Sequence, residues 1–469
     1  MSKDNLAVKA NDIKEKLPFW RIGTYGMGNF ASQLSWTMVS TYLAVFYTDA
    51  VGLSAAAVAT LLLIARIWDA INDPIMGMVM ERTRTRWGRF RPYILFGAPF
   101  LTLGTILCFR NPGLGGNGNL IYAYVTYILL GMIYTMVNVP YQALPNAITK
   151  NRDDTVKLGV ASMVGENAGM ILLNMITLPL VAYFGKGNLA KGYASTNMIL
   201  AFAALILFWC VFAGTKEVIH IKKENTVPFY ISLKLVLTSR NVICVILFNI
   251  ICMFGIMGRI GIAVYYYMYV AERPDLIGIF MSLPSIVGLV VGPIGAVLAE
   301  KFGRKKIMCI SQICTVAALL LIFLGDPFNL PYMIFCHVLY GTSFLGSSIS
   351  VALLRDAIDK IELESGVRVD GTVAGLNGLS FKSASALGTS AGLVIIGMAG
   401  YVGGQTVTPA IADGINRAVN LVPAIVVLLA LVPLAIYKMS EKEAKEIQDK
   451  LEMRRSEQYT ATEETGRKQ

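Results

Sequence analysis

The densest group of chemistry-bearing residues in the chain is Arg66-Ile67-Trp68-Asp69-Ala70-Ile71-Asn72-Asp73-Pro74. It stands inside an apolar run, where each ionisable residue costs about 2.5–3.5 kcal/mol on insertion scales. Arg66, Asp69 and Asp73 follow i, i+3, i+7 spacing, which puts all three on one face of a helix. Two carboxylates one turn apart repel unless a cation sits between them, one is protonated, or an arginine pairs with one. The first two arrangements make a cation site, for a metal ion or a proton. The third is a structural Arg66–Asp69 pair with Asp73 near the interface. Pro74 frees the carbonyl of Ala70, a further oxygen for a hard ion.

Such residues need helices that cross a bilayer, and the composition supplies them. Of 469 residues, 55% are apolar and 15% charged, against about 25% charged in soluble domains. The apolar residues fall in about twelve runs near the length that spans a bilayer. The runs are 22–49, 56–81, 92–110, 120–148, 158–184, 193–214, 240–270, 278–300, 306–325, 331–355, 372–400 and 414–438. This excludes a soluble enzyme, a nucleic-acid binder and a disordered chain. The net charge of +11 fits lysine and arginine retained on one membrane side. The connectors after the second, fourth and eighth runs hold Arg82 to Arg91, then Lys150, Arg152 and Lys157, then Lys301 to Lys306. The odd-numbered connectors hold only Lys186, Lys191 and Arg273. Even connectors and both termini are therefore expected in the cytoplasm, with the chain integral to the plasma (inner) membrane. The polar N-terminal stretch lacks the apolar core of a signal peptide.

A polar segment, 215–239, divides the chain into a first bundle (1–214) and a second (240–438), followed by a charged tail (439–469). Ile447 and Leu451 at i, i+4 predict a short surface helix in that tail. A weak repeat supports the division. Trp87-Gly88-Arg89-Phe90-Arg91 follows the second run, and Lys301-Phe302-Gly303-Arg304-Lys305-Lys306 follows the eighth. The expectation is an all-α membrane protein with twelve transmembrane helices in two six-helix bundles around a central cavity, a transporter architecture.

The run Arg66 to Gly77 is similar to the glycoside–pentoside–hexuronide:cation symporter family. So are Arg84-Thr-Arg-Trp-Gly-Arg-Phe-Arg-Pro92, Tyr47-Thr-Asp-Ala-Val-Gly-Leu-Ser54, the run Val125 to Pro140, Val264-Tyr-Tyr-Tyr-Met-Tyr-Val270, and the run Asp359 to Lys382. The resemblance covers essentially the whole chain and implies a major facilitator-type fold. It implies that Asp69, Asn72, Asp73 and Thr135 form the coupling-cation site, with Asp69 and Asp73 holding sodium if sodium is the ion. It also implies that Lys382 is the interior charge near that site, so Lys382 and Arg66 are expected to serve coupling. Galactoside carriers of the family bind sugar with two carboxylates, at positions that are Gln33 and Asn138 here. An arginine of their fifth span falls near Met163.

Amides at Gln33 and Asn138 offer a donor and an acceptor to adjacent sugar hydroxyls. As interhelical hydrogen-bonding residues they would contribute ~0.6 kcal/mol each. Glu166, in the fifth run, can bind sugar hydroxyls or carry a proton. Its run starts at 158, which places it about nine residues, ~13 Å, from the cytoplasmic edge. Arg259, in the seventh run, can clamp a sugar hydroxyl or a uronate carboxylate. The alternative is a buried Glu166–Arg259 pair. Trp36 offers a stacking face, and Tyr141 and Gln142 follow Pro140 beside Asn138. Tyr134 is a further aromatic candidate. His337 reads as a core histidine. Seven cysteines, an odd number without a C-x-x-C pair, read as packing residues. No ATPase or hydrolase motif is present.

These readings converge on a sugar symporter coupled to sodium or protons, working by alternating access. No enzyme activity and no cofactor beyond the coupling ion is expected. The expected partners are a small-molecule sugar, a monovalent cation and membrane lipid, without nucleic acid, and the chain is expected to be a monomer. The alternatives are a symporter for an amphipathic solute such as a lysolipid, and a non-transporting sugar sensor.

Overall fold

The computed structural model describes residues 17–149, 151–218, 229–404 and 406–466; some side chains within helices, those of Asp73, Arg82 and Arg152 among them, lie outside the described set. The helices are α1 (Phe19–Thr37), α2 (Ala55–Arg82), α3 (Arg91–Cys108), α4 (Gly116–Ala143), α5 (Arg152–Gly185) and α6 (Leu189–Gly214). After the short helix Phe229–Thr238 come α7 (Arg240–Tyr269), α8 (Ile277–Phe302) and α9 (Arg304–Leu324). Then follow α10 (Leu330–Ser365), α11 (Asp370–Met398) and α12 (Pro409–Ile436), and the tail helix α13 (Glu441–Gly466). Helices are what a bilayer demands, because each backbone N–H and C=O must be satisfied within its own segment. Local signals set their ends: Ser54, Asn188 and Asn329 cap α2, α6 and α10 with their side-chain oxygens. Phe96, Phe100 and Leu103 stay exposed on one side of α3, as do Phe202, Ile206 and Trp209 on α6. In a chain this apolar such faces meet lipid.

Among the described residues, ten helices, α3 to α12, are long and apolar enough to cross a membrane. The first two expected spans, α1 and α2, are helical but are not among those ten. Several residues of α2, Asp73 among them, lie outside the described set. The α1 helix is regular only to Thr37, then widens into π turns at Met38–Tyr42 and Phe46–Ala50. Such turns loosen the backbone ladder and recur at functional sites.

The repeat seen in the connectors is a structural one. Glu217, just past α6, accepts the backbone N–H groups of Arg89, Phe90 and Arg91 at 2.7, 2.7 and 2.9 Å. Glu441, just past α12, accepts that of Arg304. The preceding glycines, Gly88 and Gly303, have φ of 112° and 99°, a region open mainly to glycine. Helix pairing repeats as well. Gly26 and Gly169 bring α1 and α5 together: a Cβ on Gly169 would lie 2.9 Å from the Phe30 carbonyl oxygen. Gly258 and Gly388 do the same for α7 and α11, with a Cβ on Gly258 only 2.8 Å from the Gly388 carbonyl carbon.

The two halves share one core at the end opposite the basic connectors. A single apolar cluster there joins Tyr42, Phe46 and Tyr47 of the first half to Ile262, Tyr265, Leu393 and Val419 of the second. Hydrogen bonds cross with it. Asp49 accepts from Tyr401 at 2.6 Å and from Tyr269, Thr48 meets the Tyr265 hydroxyl at 2.9 Å, and Ser390 donates to the Ala59 carbonyl at 3.0 Å. Burial, and the Asp49 carboxylate beside it, push the Tyr401 phenol well above its ordinary range, so it donates. At the basic end the second half packs on itself, through Val242, Phe248, Leu353 and Ile361. Ile447 and Leu451 of α13 join that separate core, and the tail helix runs further than the short one expected.

Candidate functional site

A small cavity lies between the halves. Trp36 of α1, Arg66 and Asp69 of α2, Tyr134 and Thr135 of α4, and Lys382 of α11 line it, and its volume is about 30 Å³. That space holds a water or an ion and excludes a sugar. Arg66 donates to Asp69 Oδ2 at 3.1 Å and to the Tyr127 hydroxyl at 3.4 Å, and its guanidinium lies 4.6 Å from the Trp36 ring centre. The Arg66–Asp69 pair left open by the sequence is therefore present. It uses one carboxylate oxygen. The other, Oδ1, lies against α4 where a Cβ on Gly131 would be only 2.7 Å away. Thr135 stands one turn further along α4 and lines the same space.

Asn72 follows on the next turn of α2. Its Nδ2 is buried without a hydrogen-bond partner among the described residues. The two ends of an amide have the same shape, so its oxygen fits the same place and is the kind of donor a hard cation takes. Asp73 shares that turn on the backbone, but its side chain lies outside the described residues. The oxygen donors that line the cavity, from Asp69 and Thr135, with the Asn72 amide one turn along α2, suit a small monovalent cation. Among the described residues no group of three or more His, Cys, Asp or Glu stands together for a transition metal.

Beside the cavity a polar face runs along α1. Asn29, Gln33 and Trp36 stand at i, i+4, i+7 and share one side of the helix. Trp36 meets Lys382 of the other half in the cavity, so this side faces the gap between the halves. Glu166 reaches the same face from α5. Its Oε1 accepts from Gln33 Nε2 at 3.3 Å and its Oε2 from Asn29 Nδ2 at 3.5 Å. From α4, Asn138 Nδ2 donates to the Tyr134 hydroxyl at 3.3 Å, and its Oδ1 is buried without a partner among the described residues. The Tyr134 ring stacks on Trp36 with centroids 5.0 Å apart, so Trp36 is already engaged by Tyr134 and Arg66. Gln33, Trp36, Asn138 and Glu166 are thus brought together.

Other candidates are not. The alternative Glu166–Arg259 pair is absent among the described residues. Arg259 is 2% exposed inside the second bundle, with the Tyr267 hydroxyl 3.4 Å from Nη2 and the Tyr340 ring centre 4.7 Å from its guanidinium carbon. Tyr340 packs in turn on Val316, Ala424 and Val427, among α9 and α12. His337 hydrogen-bonds Tyr267 at 2.6 Å and lies in this packing. Tyr141 is fully buried and donates to the Tyr25 carbonyl at 2.7 Å. Its ring stacks on Tyr25 at 4.8 Å, so it joins α4 to α1. Gln142, one position round the helix, is exposed and makes no side-chain hydrogen bond among the described residues. Asn29 and Gly131 were not singled out from the sequence. The signal for both was helical spacing: Asn29 stands four residues before Gln33, and Gly131 four before Thr135.

Residues 24–441 match the MFS/sugar transport protein family. The chain is 35% identical to an uncharacterized symporter of Bacillus subtilis, over 92% of this chain and 94% of the relative. It is 32% identical to the isoprimeverose transporter of Lactiplantibacillus pentosus, over 93% and 92%. It is 28% identical to a glucuronide carrier protein homolog of Escherichia coli, over 93% and 96%. Among solved structures, the fold is shared with a bacterial homolog of the lysosomal transporter Spinster in an inward-facing form, at a TM-score of 0.66 and 11% identity, over 90% of this chain and 97% of that one. The chain is a membrane transporter of the major facilitator fold and belongs to the MFS/sugar transport protein family, among the glycoside–pentoside–hexuronide:cation symporters.

Proposed function

We propose that the protein imports a sugar together with sodium or a proton by alternating access. The observation that carries this reading is the cavity of about 30 Å³ between the halves, lined by Asp69, Thr135 and Lys382. It is sized for an ion, and it adjoins a face of amides and one carboxylate suited to sugar hydroxyls. The cation binds at Asp69, Asn72, Asp73 and Thr135, with Arg66 and Lys382 supplying the fixed charges that its arrival rebalances. The sugar binds in the wider gap, on Gln33, Asn138 and Glu166, with Trp36 at the border of the two sites. Ion and sugar each raise the other's affinity, since linkage is reciprocal. A potential of 100 mV supplies ~2.3 kcal/mol per charge, roughly fifty-fold accumulation.

The basic loops lie in the cytoplasm, and α1 to α12 make twelve spans. The shared core and the Asp49 contacts then close the outer side, and the conformation is inward-facing. The isoprimeverose and glucuronide relatives support a sugar as the cargo. Counterflow of radiolabelled glycosides into proteoliposomes, with and without sodium and across pH, tests it. Cation-stimulated counterflow of a glycoside is expected. Absence of counterflow for every sugar, with binding retained, would make the protein a sensor, and exchange of lysolipid alone would make it a lipid carrier.

A further inference from the structure

We infer that Glu166 sets the substrate class of this transporter: an uncharged glycoside, gripped by its hydroxyls, with acidic sugars excluded. This rests on the symport reading above and names its cargo.

The Glu166 carboxylate is exposed on the face that looks into the gap between the halves. Its hydrogen-bond partners are neutral, the amides of Gln33 and Asn29, at 3.3 and 3.5 Å. Both bonds are long and therefore weak. A carboxylate accepts about four hydrogen bonds, so two sugar O–H donors can bind it beside the amides or in their place. Glu166 makes no ion pair among the described residues. The cations that would favour an acidic sugar are committed elsewhere. Arg66 pairs with Asp69 at 3.1 Å. Lys382 lines the ion cavity with them. Arg259 is sealed inside the second bundle against Tyr267 and Tyr340. The sugar-facing surface of the first half thus presents one negative charge and several amides. A uronate carboxylate there meets a like charge, which opposes binding, while a neutral sugar meets only acceptors and donors.

The test uses the full-length purified protein in proteoliposomes. The probes are the 4-nitrophenyl β-glycosides of glucose, galactose, xylose and glucuronic acid, bound with sodium and at several pH values. The wild type is expected to bind the best neutral glycoside about tenfold or more tighter than the glucuronide, the scale of a like-charge penalty. Glu166→Gln, which keeps the shape, is expected to shrink that ratio about tenfold. Glu166→Asp, which keeps the charge, is expected to preserve the preference. Thermal melting of each variant checks folding. A wild type that prefers the glucuronide overturns the inference, and so does an unchanged ratio in Glu166→Gln; the symport reading survives both. If no glycoside shows cation-enhanced binding to the wild type, the symport reading itself fails and takes this one with it.

Discussion

Asp69 divides its carboxylate between two helices, with one oxygen on Arg66 and the other against Gly131 of α4. Asp69→Cys should abolish uphill sugar accumulation while the protein still reaches the membrane, because a small neutral side chain is cheap in a bilayer. Full accumulation in vesicles of that variant would remove the cation assignment. Gly131→Ala tests the same oxygen from the other side. The new methyl would sit 2.7 Å from Oδ1, so the carboxylate must turn away. Cation affinity should fall about tenfold, the equivalent of ~1.4 kcal/mol. Cation-induced thermal shifts read this directly, and unchanged affinity would free Asp69 from its contact with α4. At Arg259 the prediction is independence. Because Arg259 and Glu166 touch different neighbours, the effects of Arg259→Met and Glu166→Gln on sugar binding should add within ~0.5 kcal/mol. A strong rescue in the double variant would restore the buried pair that the structure lacks.

Helix pairing decides which of these residues meet. Glu166 reaches Gln33 because α1 and α5 approach at Gly26, Gly165 and Gly169, with backbone against backbone. On the same helix, Gly159 faces open space, with nothing within 4 Å of its would-be Cβ. This supplies an internal control. Gly165→Leu should separate the helices, lower stability by ~1–3 kcal/mol as other overpacking changes do, and weaken sugar binding. Gly159→Leu should do neither. Equal melting temperatures and equal affinities for the two variants would contradict the close-packing account. The helix α5 also begins before its apolar run. The apolar run begins at 158, but the helix starts at Arg152, because Asp154 of its first turn is buried, accepts the Leu17 N–H at 2.8 Å and pairs with Lys157. Hydropathy alone leaves that polar turn out.

Across the whole molecule, Asp49 ties the first half to the second through the hydroxyls of Tyr269 and Tyr401. A hydrogen bond to a charged group contributes about 1.5–3 kcal/mol, enough to shift a two-state balance tenfold or more. Asp49→Asn should therefore let the closed end open more often. Ala263, fully buried in the shared core, offers a reporter. A cysteine placed there, with the native cysteines replaced, should react faster with a membrane-impermeant thiol reagent in the Asp49→Asn background. An unchanged rate would mean that the apolar core alone holds that end shut. Asp49 was visible in the sequence only as part of the Tyr47 to Ser54 motif at the end of a span. Its partners lie more than two hundred residues away.

Features governed by short-range rules were legible from the residues alone. Apolar runs of bilayer length gave the helical membrane class, the break at 215–239 gave two halves, and i, i+3 spacing put Arg66 beside Asp69. The glycine–basic repeat was legible too, but the carboxylates that cap its two loops, Glu217 and Glu441, were not. Which faces confront each other was decided only by tertiary packing. Arg259 and Glu166 each read as an ionisable residue within an apolar run. One turned inward among Tyr267, Tyr340 and His337, and the other turned to the gap between the halves. Helix periodicity fixes the angle between residues on one helix, but not the rotation of that helix against its neighbours. That rotation is set by backbone contacts at Gly26, Gly165, Gly258 and Gly388, whose partners are far off in the chain. The same long-range packing, with no local signature, also settled which end of the molecule is closed.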